Sequence, residues 1–249
     1  LVNAILRNAL RKEKAILAER EKLPLHILYS TPRWLVEKWT AQFGPESARK
    51  LLQWNNTTPR LYVRANSLIP LNDPPEGLVP LGGAPGWFSV EGLLPLKDIN
   101  SGALYVADPS TRYAIDLLAP QPDEEILDAC AAPGGKSAAI IAATGGKASL
   151  TATDLHEHRL PVLRENLARY GSPSVATAQA DWTQPCPPQW EKRFDAVLLD
   201  VPCSNTGVIQ RRVDVRWRLN PEEIRRLAAL QRTILENASR AVRPGGRLV

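Results

Sequence analysis

The sequence predicts an α/β fold: an open parallel sheet with a nucleotide site, preceded by a small α+β lobe and a helical segment. Three observations lead there. Residues 128–137, Asp-Ala-Cys-Ala-Ala-Pro-Gly-Gly-Lys-Ser, join a strand-like run at 125–127 to a helix-like run at 137–143. Further strand-like runs follow at 148–153, 174–180 and 194–199, with a helical pattern at 157–170 that Gly171 closes. Four successive strands then end in acids: Asp128, Asp154, Asp181 and Asp200. One acid at a strand end is commonly a turn former or a helix cap. Four in succession point to a ligand, because open α/β sheets bind across the carboxyl ends of their strands.

Upstream, residues 1–21 form a charged amphipathic pattern, a helix expected to end near Leu23-Pro24. Thr31 and Pro32 read as N-cap and first residue of the next helix, with Leu35, Val36, Trp39 and Phe43 on one face and Gly44 at its end. Residues 45–54 read as a second short helix, and Thr58-Pro59 breaks to a strand at 61–66. Trp34, Trp39 and Trp54 are expected in the core. The Pro- and Gly-rich stretch 70–95 suits short strands and turns, and Gln121-Pro122 marks entry to the parallel sheet. The expected division is therefore 1–22, 23–120 and 121–249. Near the C-terminus, Asn220-Pro221-Glu222-Glu223 is a helix start with a capping Asn and two acids at the positive end of the dipole. Leu227, Leu230, Ile234 and Ala238 would face the sheet.

Composition narrows the classes. There are 31 Lys and Arg against 26 acids, a net charge of +5, which suits a polyanion without requiring one. The basic residues Arg211, Arg212, Arg216 and Arg218 cluster around Trp217 with Asp214 as the lone acid, a combination suited to RNA phosphates and an unstacked base. Three cysteines without C-x-x-C spacing argue against zinc and against a disulfide framework, so no metal is expected and a reducing, cytoplasmic setting is. Cys186, between Pro185 and Pro187, reads as a small hydrophobe. No secretory leader pattern, internal repeat or membrane-length apolar run is present, so no membrane partner is expected.

Which nucleotide the loop holds decides the chemistry. Gly135-Lys136-Ser137 ends like a P-loop, and Asp200 could follow a magnesium-binding strand. That pattern needs Gly at position 130, where this chain has Cys130, and Pro133 removes an N–H donor. The strand-end acids better suit a ligand with a ribose, an adenine amino group and a sulfonium. Beyond Asp200, Val201-Pro202-Cys203-Ser204-Asn205-Thr206-Gly207 puts a thiol at the mouth of the crevice. Methylating carbon 5 of a pyrimidine needs a thiolate that adds to carbon 6, an acid near nitrogen 3 and a base for the carbon 5 proton.

The two motifs together resemble those of the RNA 5-methylcytosine methyltransferases, most closely the branch acting on bacterial 16S ribosomal RNA. The resemblance covers nearly the whole chain. It implies a Rossmann-like, S-adenosylmethionine-dependent domain, incomplete at its fifth strand, after a small RRM-like α+β domain and the end of a helical NusB-like domain. By the same resemblance, Cys130, Ala131, Ala132, Pro133, Gly134, Gly135 and Lys136 contact the methionine part of the cofactor. Asp154 takes the ribose, Asp181 the adenine region, and Asp200 the space between methyl group and cytosine. Cys203 then assists product release with Asp200 and Lys136 beside it, while the attacking thiol belongs to a Thr-Cys-Ser motif after the fifth strand, which these residues do not contain. A chain without Met that stops within a strand reads as part of a longer protein. Here Arg212-Val213 replaces the family's His-Pro before Asp214, which bears on loop shape. A monomer is expected. The competing readings are attack by Cys203 itself, a P-loop nucleotidase, and a non-catalytic RNA-binding module.

Overall fold

The computed structural model describes residues 2–20, 22–71, 74–172 and 175–249. It divides into two compact units, cut differently from the divisions drawn at 22 and 120. One comprises Leu1–Pro59 with Ser204–Ile224, the other Arg60–Cys203 with Arg225–Val249.

The first unit is helical. Helices α1 (Val2–Arg11) and α2 (Glu13–Arg20) bury no side chain; the flanking Leu1 and Glu21 lie outside the described residues. After the short α3 (Leu25–Leu28), α4 (Arg33–Phe43) and α5 (Pro45–Trp54) pack Leu35, Val36, Trp39, Ala48 and Leu52 into a core that also takes Ile209 and Val215. The returning segment contributes the one-turn helix α10 (Val215–Arg218). Three expectations are corrected here. Thr31 does not cap α4: Pro32 is at the N-cap, and the Thr31 hydroxyl donates to the Tyr29 carbonyl at 3.0 Å. Phe43 and Trp54, each the last residue of its helix, are about half exposed.

The second unit holds two sheets. Strands β1 (Tyr62–Ala65), β2 (Leu78–Pro80), β3 (Trp87–Val90) and β4 (Leu104–Val106) form an antiparallel sheet in the order β2-β3-β1-β4, with α6 (Leu96–Ser101) between the last two in sequence. Helix α7 (Arg112–Leu118) then leads to a parallel sheet of β5 (Glu125–Asp128), β6 (Ser149–Asp154), β7 (Ala176–Gln179), β8 (Phe194–Leu198) and β9 (Val242–Leu248). Its order, β7-β6-β5-β8-β9, reverses direction between β5 and β8, the point at which such sheets bind ligands. The strand expected at 174–180 is thus shorter, and Ser174 lies outside the described residues. The fifth strand, expected only to begin, pairs with β8 as far as Val197↔Leu248.

Both faces of this sheet are covered, so its central strands β5, β6 and β8 are buried along almost their whole length. Leu127 and Val197 pack against Ile234 and Ala238 of α11 (Pro221–Ser239) on one face, and Ile126 and Ala196 against Ile140 of α8 (Gly135–Ala143) on the other. Each of these buried Leu, Ile and Val side chains contributes about 1.5–3 kcal/mol. Asn220 caps α11 as expected, accepting the Glu223 N–H at 2.8 Å. Helix α9 (Leu160–Arg169) starts later than the pattern suggested, after a 3-10 turn at Glu157–Arg159, because Pro161 sits in its first turn.

Where the two sheets meet, Asn66 is buried and its amide donates to the carbonyls of Gly102 and Tyr170 at 3.1 and 3.0 Å. Gly102 has φ +82°, and a Cβ there would fall 2.0 Å from the Arg169 carbonyl oxygen, so only glycine permits this approach.

Candidate active site

The parallel sheet delivers its acids to one end, but their environments differ. Asp128, at the tip of β5, is fully buried, and its Oδ2 accepts a hydrogen bond from Ser137 Oγ at 2.7 Å. Burial pushes its carboxyl up to about 6, with the Ser137 bond acting in the opposite direction. Its Oδ1 is buried without a partner among the described residues.

The chain then reverses through a loop containing a cis Ala132–Pro133 bond, and Gly134 takes φ +106° before α8 begins at Gly135. A Cβ on Gly135 would meet the Tyr105 hydroxyl at 2.2 Å; its absence lets that ring lie against the loop. Lys136, in the first turn of α8, donates to Asp200 Oδ2 at 2.6 Å. That bond ties the loop after β5 to the loop after β8. The Cys130 thiol is pushed up to about 12, mainly by burial and then by Asp128, Asp154 and Asp200, which keeps it neutral.

Asp154, the last residue of β6, is almost wholly buried. Its carboxylate accepts the Ala132 and His156 N–H groups at 3.2 and 3.0 Å and Arg159 Nη1 at 2.9 Å. Arg159 also donates to the Ala132 carbonyl, so this pair holds the glycine loop in place. Asp181 lies two residues beyond β7, exposed, with its carboxyl held below the usual range by the Thr183 hydroxyl and backbone N–H at 2.6 and 2.9 Å.

A cavity of about 200 Å³ opens at the ends of β5 and β8. Of the expected residues it gathers Cys130, Ala131, Ala132, Pro133, Gly135, Lys136 and Asp200. Gly134, Asp154, Asp181 and Cys203 are not in its wall. Cys203 is exposed on the loop that leaves Asp200, and Cys186 is half-buried, packed with the apolar cluster around Trp182 and Trp190. The opposite wall comes from the antiparallel sheet and α7, through Arg64, Tyr105, Thr111 and Arg112. Sequence reasoning missed these four, whose one local signal was an arginine inside the strand run Tyr62-Val63-Arg64-Ala65.

In the helical unit, Arg211 and Arg212 are exposed, Arg218 pairs with Asp214 at 2.5 Å, and the Trp217 ring is 63% exposed. Arg216 is a correction. It is 3% exposed and donates to the carbonyls of Tyr29, Ser30 and Asn55 and to the Asn56 side chain, so it holds the unit together and is closed to RNA.

The site also bears on the P-loop reading. Ser137, which would have to reach a magnesium ion, is fully buried and bonded to Asp128. What remains is a parallel sheet with a 3-2-1-4-5 strand order, a glycine loop after its first strand and a cavity at the switch point: a Rossmann-like methyltransferase fold. The chain belongs to the RsmB/F family of 16S rRNA methyltransferases, whose sequence profile matches residues 115–249; the ferredoxin-like domain profile of the RsmF/B-like enzymes matches residues 31–69. It is 34% identical over 262 residues to the ribosomal RNA small subunit methyltransferase B of Citrobacter koseri and, equally, to that of Salmonella arizonae. The matches take in all of this chain and 60% and 59% of those proteins, so it spans about three fifths of their length. Among solved structures it resembles PH0851, with a TM-score of 0.82 and 28% identity over 90% of this chain and 53% of that one. It also shares its fold with NSun6 from Pyrococcus horikoshii, solved with SFG, at a TM-score of 0.69 and 21% identity over 87% and 82% of the two chains.

Proposed function

We propose that the protein transfers a methyl group from S-adenosylmethionine to carbon 5 of a cytosine in 16S ribosomal RNA, through a cysteine–pyrimidine adduct. The observation that carries this reading is the cavity at the switch point, where the glycine loop and the Lys136–Asp200 pair face one space. The residues fit the cofactor: Asp128, in the cavity wall, has an Oδ1 without a partner among the described residues, an acceptor for the methionine portion. Bound S-adenosylmethionine supplies an electrophilic methyl group on a sulfonium.

Within this reading the chain's own groups divide the work. Lys136 orients Asp200 toward nitrogen 3 of the cytosine, where a proton shared between that nitrogen and the carboxylate draws electrons from the ring and supports addition at carbon 6. A thiolate attacks carbon 6, forming a carbon–sulfur bond and making carbon 5 the nucleophile. After methyl transfer a base removes the carbon 5 proton, and the carbon–sulfur bond breaks to return the thiolate. Cys203 serves this release step, and the attacking thiol is the one the family resemblance assigns to the Thr-Cys-Ser motif. Asp154 takes the ribose diol when Arg159 yields its place, and Asp181 borders the adenine. Arg211, Arg212 and Arg218 with Trp217 meet the RNA. The protein acts as a monomer in the cytoplasm, and among the described residues no helix is long and apolar enough to cross a membrane.

The test incubates the complete protein with methyl-labelled S-adenosylmethionine and unmodified 16S ribosomal RNA, then digests to nucleosides. Label in 5-methylcytidine is expected. Label in another nucleoside would overturn the reaction, and bound RNA without label would favour the RNA-binding module.

A further inference from the structure

The cavity wall holds five charged side chains, and three are already paired. Lys136 and Asp200 bond to each other at 2.6 Å. Arg112 lies 3.8 Å from Asp116 and donates to the Gly83 carbonyl at 2.7 Å. Two charges of opposite sign remain. Asp128 is fully buried with Oδ1 partnerless, and Arg64 has a buried Nε that no acceptor among the described residues reaches. Arg64 forms no ion pair among those residues; its guanidinium lies 5.8 Å from the centroid of the Tyr105 ring. Tyr105 in turn sits on Gly135 at the start of α8, so strand β1 presents this arginine beside the glycine loop.

A polar atom of a charged group buried without a partner costs free energy that the free protein does not recover, and such atoms mark a ligand's place. Both groups bear the mark of that cost: burial lowers the pKa of Arg64 and raises that of Asp128. One cation and one anion facing a cavity of about 200 Å³ match a ligand end that carries both charges. A nucleotide phosphate would use Arg64 but would be repelled by Asp128.

We propose that Arg64 and Asp128 together form a receptor for the zwitterionic amino-acid end of the cofactor, Arg64 taking the α-carboxylate and Asp128 the α-ammonium. The antiparallel sheet is then one wall of the cofactor site as well as a neighbour of it. Arg64 suits the task because its planar fork can hold a carboxylate through two donors. This inference rests on the cofactor named above.

Titration calorimetry on the full chain tests it with two ligands, S-adenosylmethionine and its decarboxylated form, which keeps the ammonium and lacks the carboxylate. Wild-type protein should bind the decarboxylated ligand roughly ten- to a hundredfold more weakly, the range of a charge-assisted hydrogen bond. Arg64→Gln should weaken S-adenosylmethionine by a similar factor and leave the decarboxylated ligand unchanged, with Arg64→Lys between. Equal losses for both ligands in Arg64→Gln would overturn the assignment, as would a wild-type protein that does not distinguish them. The wild-type comparison decides even if the variant fails to fold. Wild-type protein that binds neither ligand would instead remove the cofactor reading itself, and this inference with it.

Discussion

Asp128 shows at the scale of one residue how the site is held at the expense of stability. Its carboxyl stands at about 6 in the fold against an ordinary 3.8, and it is fully buried. A raised folded-state pKa means that ionisation is disfavoured by the fold, so the penalty is complete above pH 6 and relieved as pH falls toward 4. Asp128→Asn, which can still accept from Ser137, should therefore stabilise the free protein by about 2–3 kcal/mol at pH 7 and by almost nothing near pH 4. Thermal unfolding of both proteins across that range checks the sign, and a gain that grew on acidification would be the wrong one. Arg216 is the opposite case. Arg216→Met should destabilise the helical unit by about 3 kcal/mol or more, since it strips buried carbonyls of their donor, without changing the salt dependence of RNA binding. Asp154→Ala should weaken cofactor binding while RNA affinity holds; calorimetry showing unchanged cofactor affinity would remove Asp154 from the ribose.

At the scale of elements, the junction between the antiparallel sheet and the parallel one depends on two residues, Asn66 and Gly102. Gly102→Ala places a methyl against the Arg169 carbonyl in a left-handed backbone conformation, so both sterics and dihedral strain oppose it. A destabilisation of roughly 2 kcal/mol or more is expected, with faster hydrogen exchange across β1 and β4; exchange rates equal to wild type would show that the junction carries no such weight. The glycine loop obeys the same logic. Its residue types were legible because a strand, a Gly-Gly turn and a helix have separate local signatures. That Gly135 admits Tyr105 was not, because the ring arrives from a strand about thirty residues earlier.

At the scale of the whole molecule, a basic surface predicts behaviour toward RNA that salt can read. Removing one arginine that neutralises a phosphate should lower the slope of log affinity against log salt by about 0.7 for a single strand. Arg211→Ala and Arg212→Ala should each do so by roughly that amount, at similar cost for every RNA sequence. Filter binding at several salt concentrations checks this, and an unchanged slope would remove these arginines from the interface.

Local sequence was enough for the order of the parallel strands' elements, the glycine loop, the acids ending β5 and β6 (Asp181 and Asp200 lie two residues beyond β7 and β8) and the α11 cap, because periodicity, turn residues and capping act over a few neighbours. The same locality explains the misses. Thr31 looked like a cap, but its hydroxyl turns to the Tyr29 carbonyl; Trp54 looked like core and is half exposed; Arg216 looked like an RNA-binding residue and was decided by carbonyls brought alongside from far away. Tertiary structure alone set Lys136 against Asp200, turned Asp154 onto the glycine loop, and brought Arg64 to the cavity that holds Asp128. Burial and charge pairing are properties of that assembled space, and no window of neighbouring residues contains them.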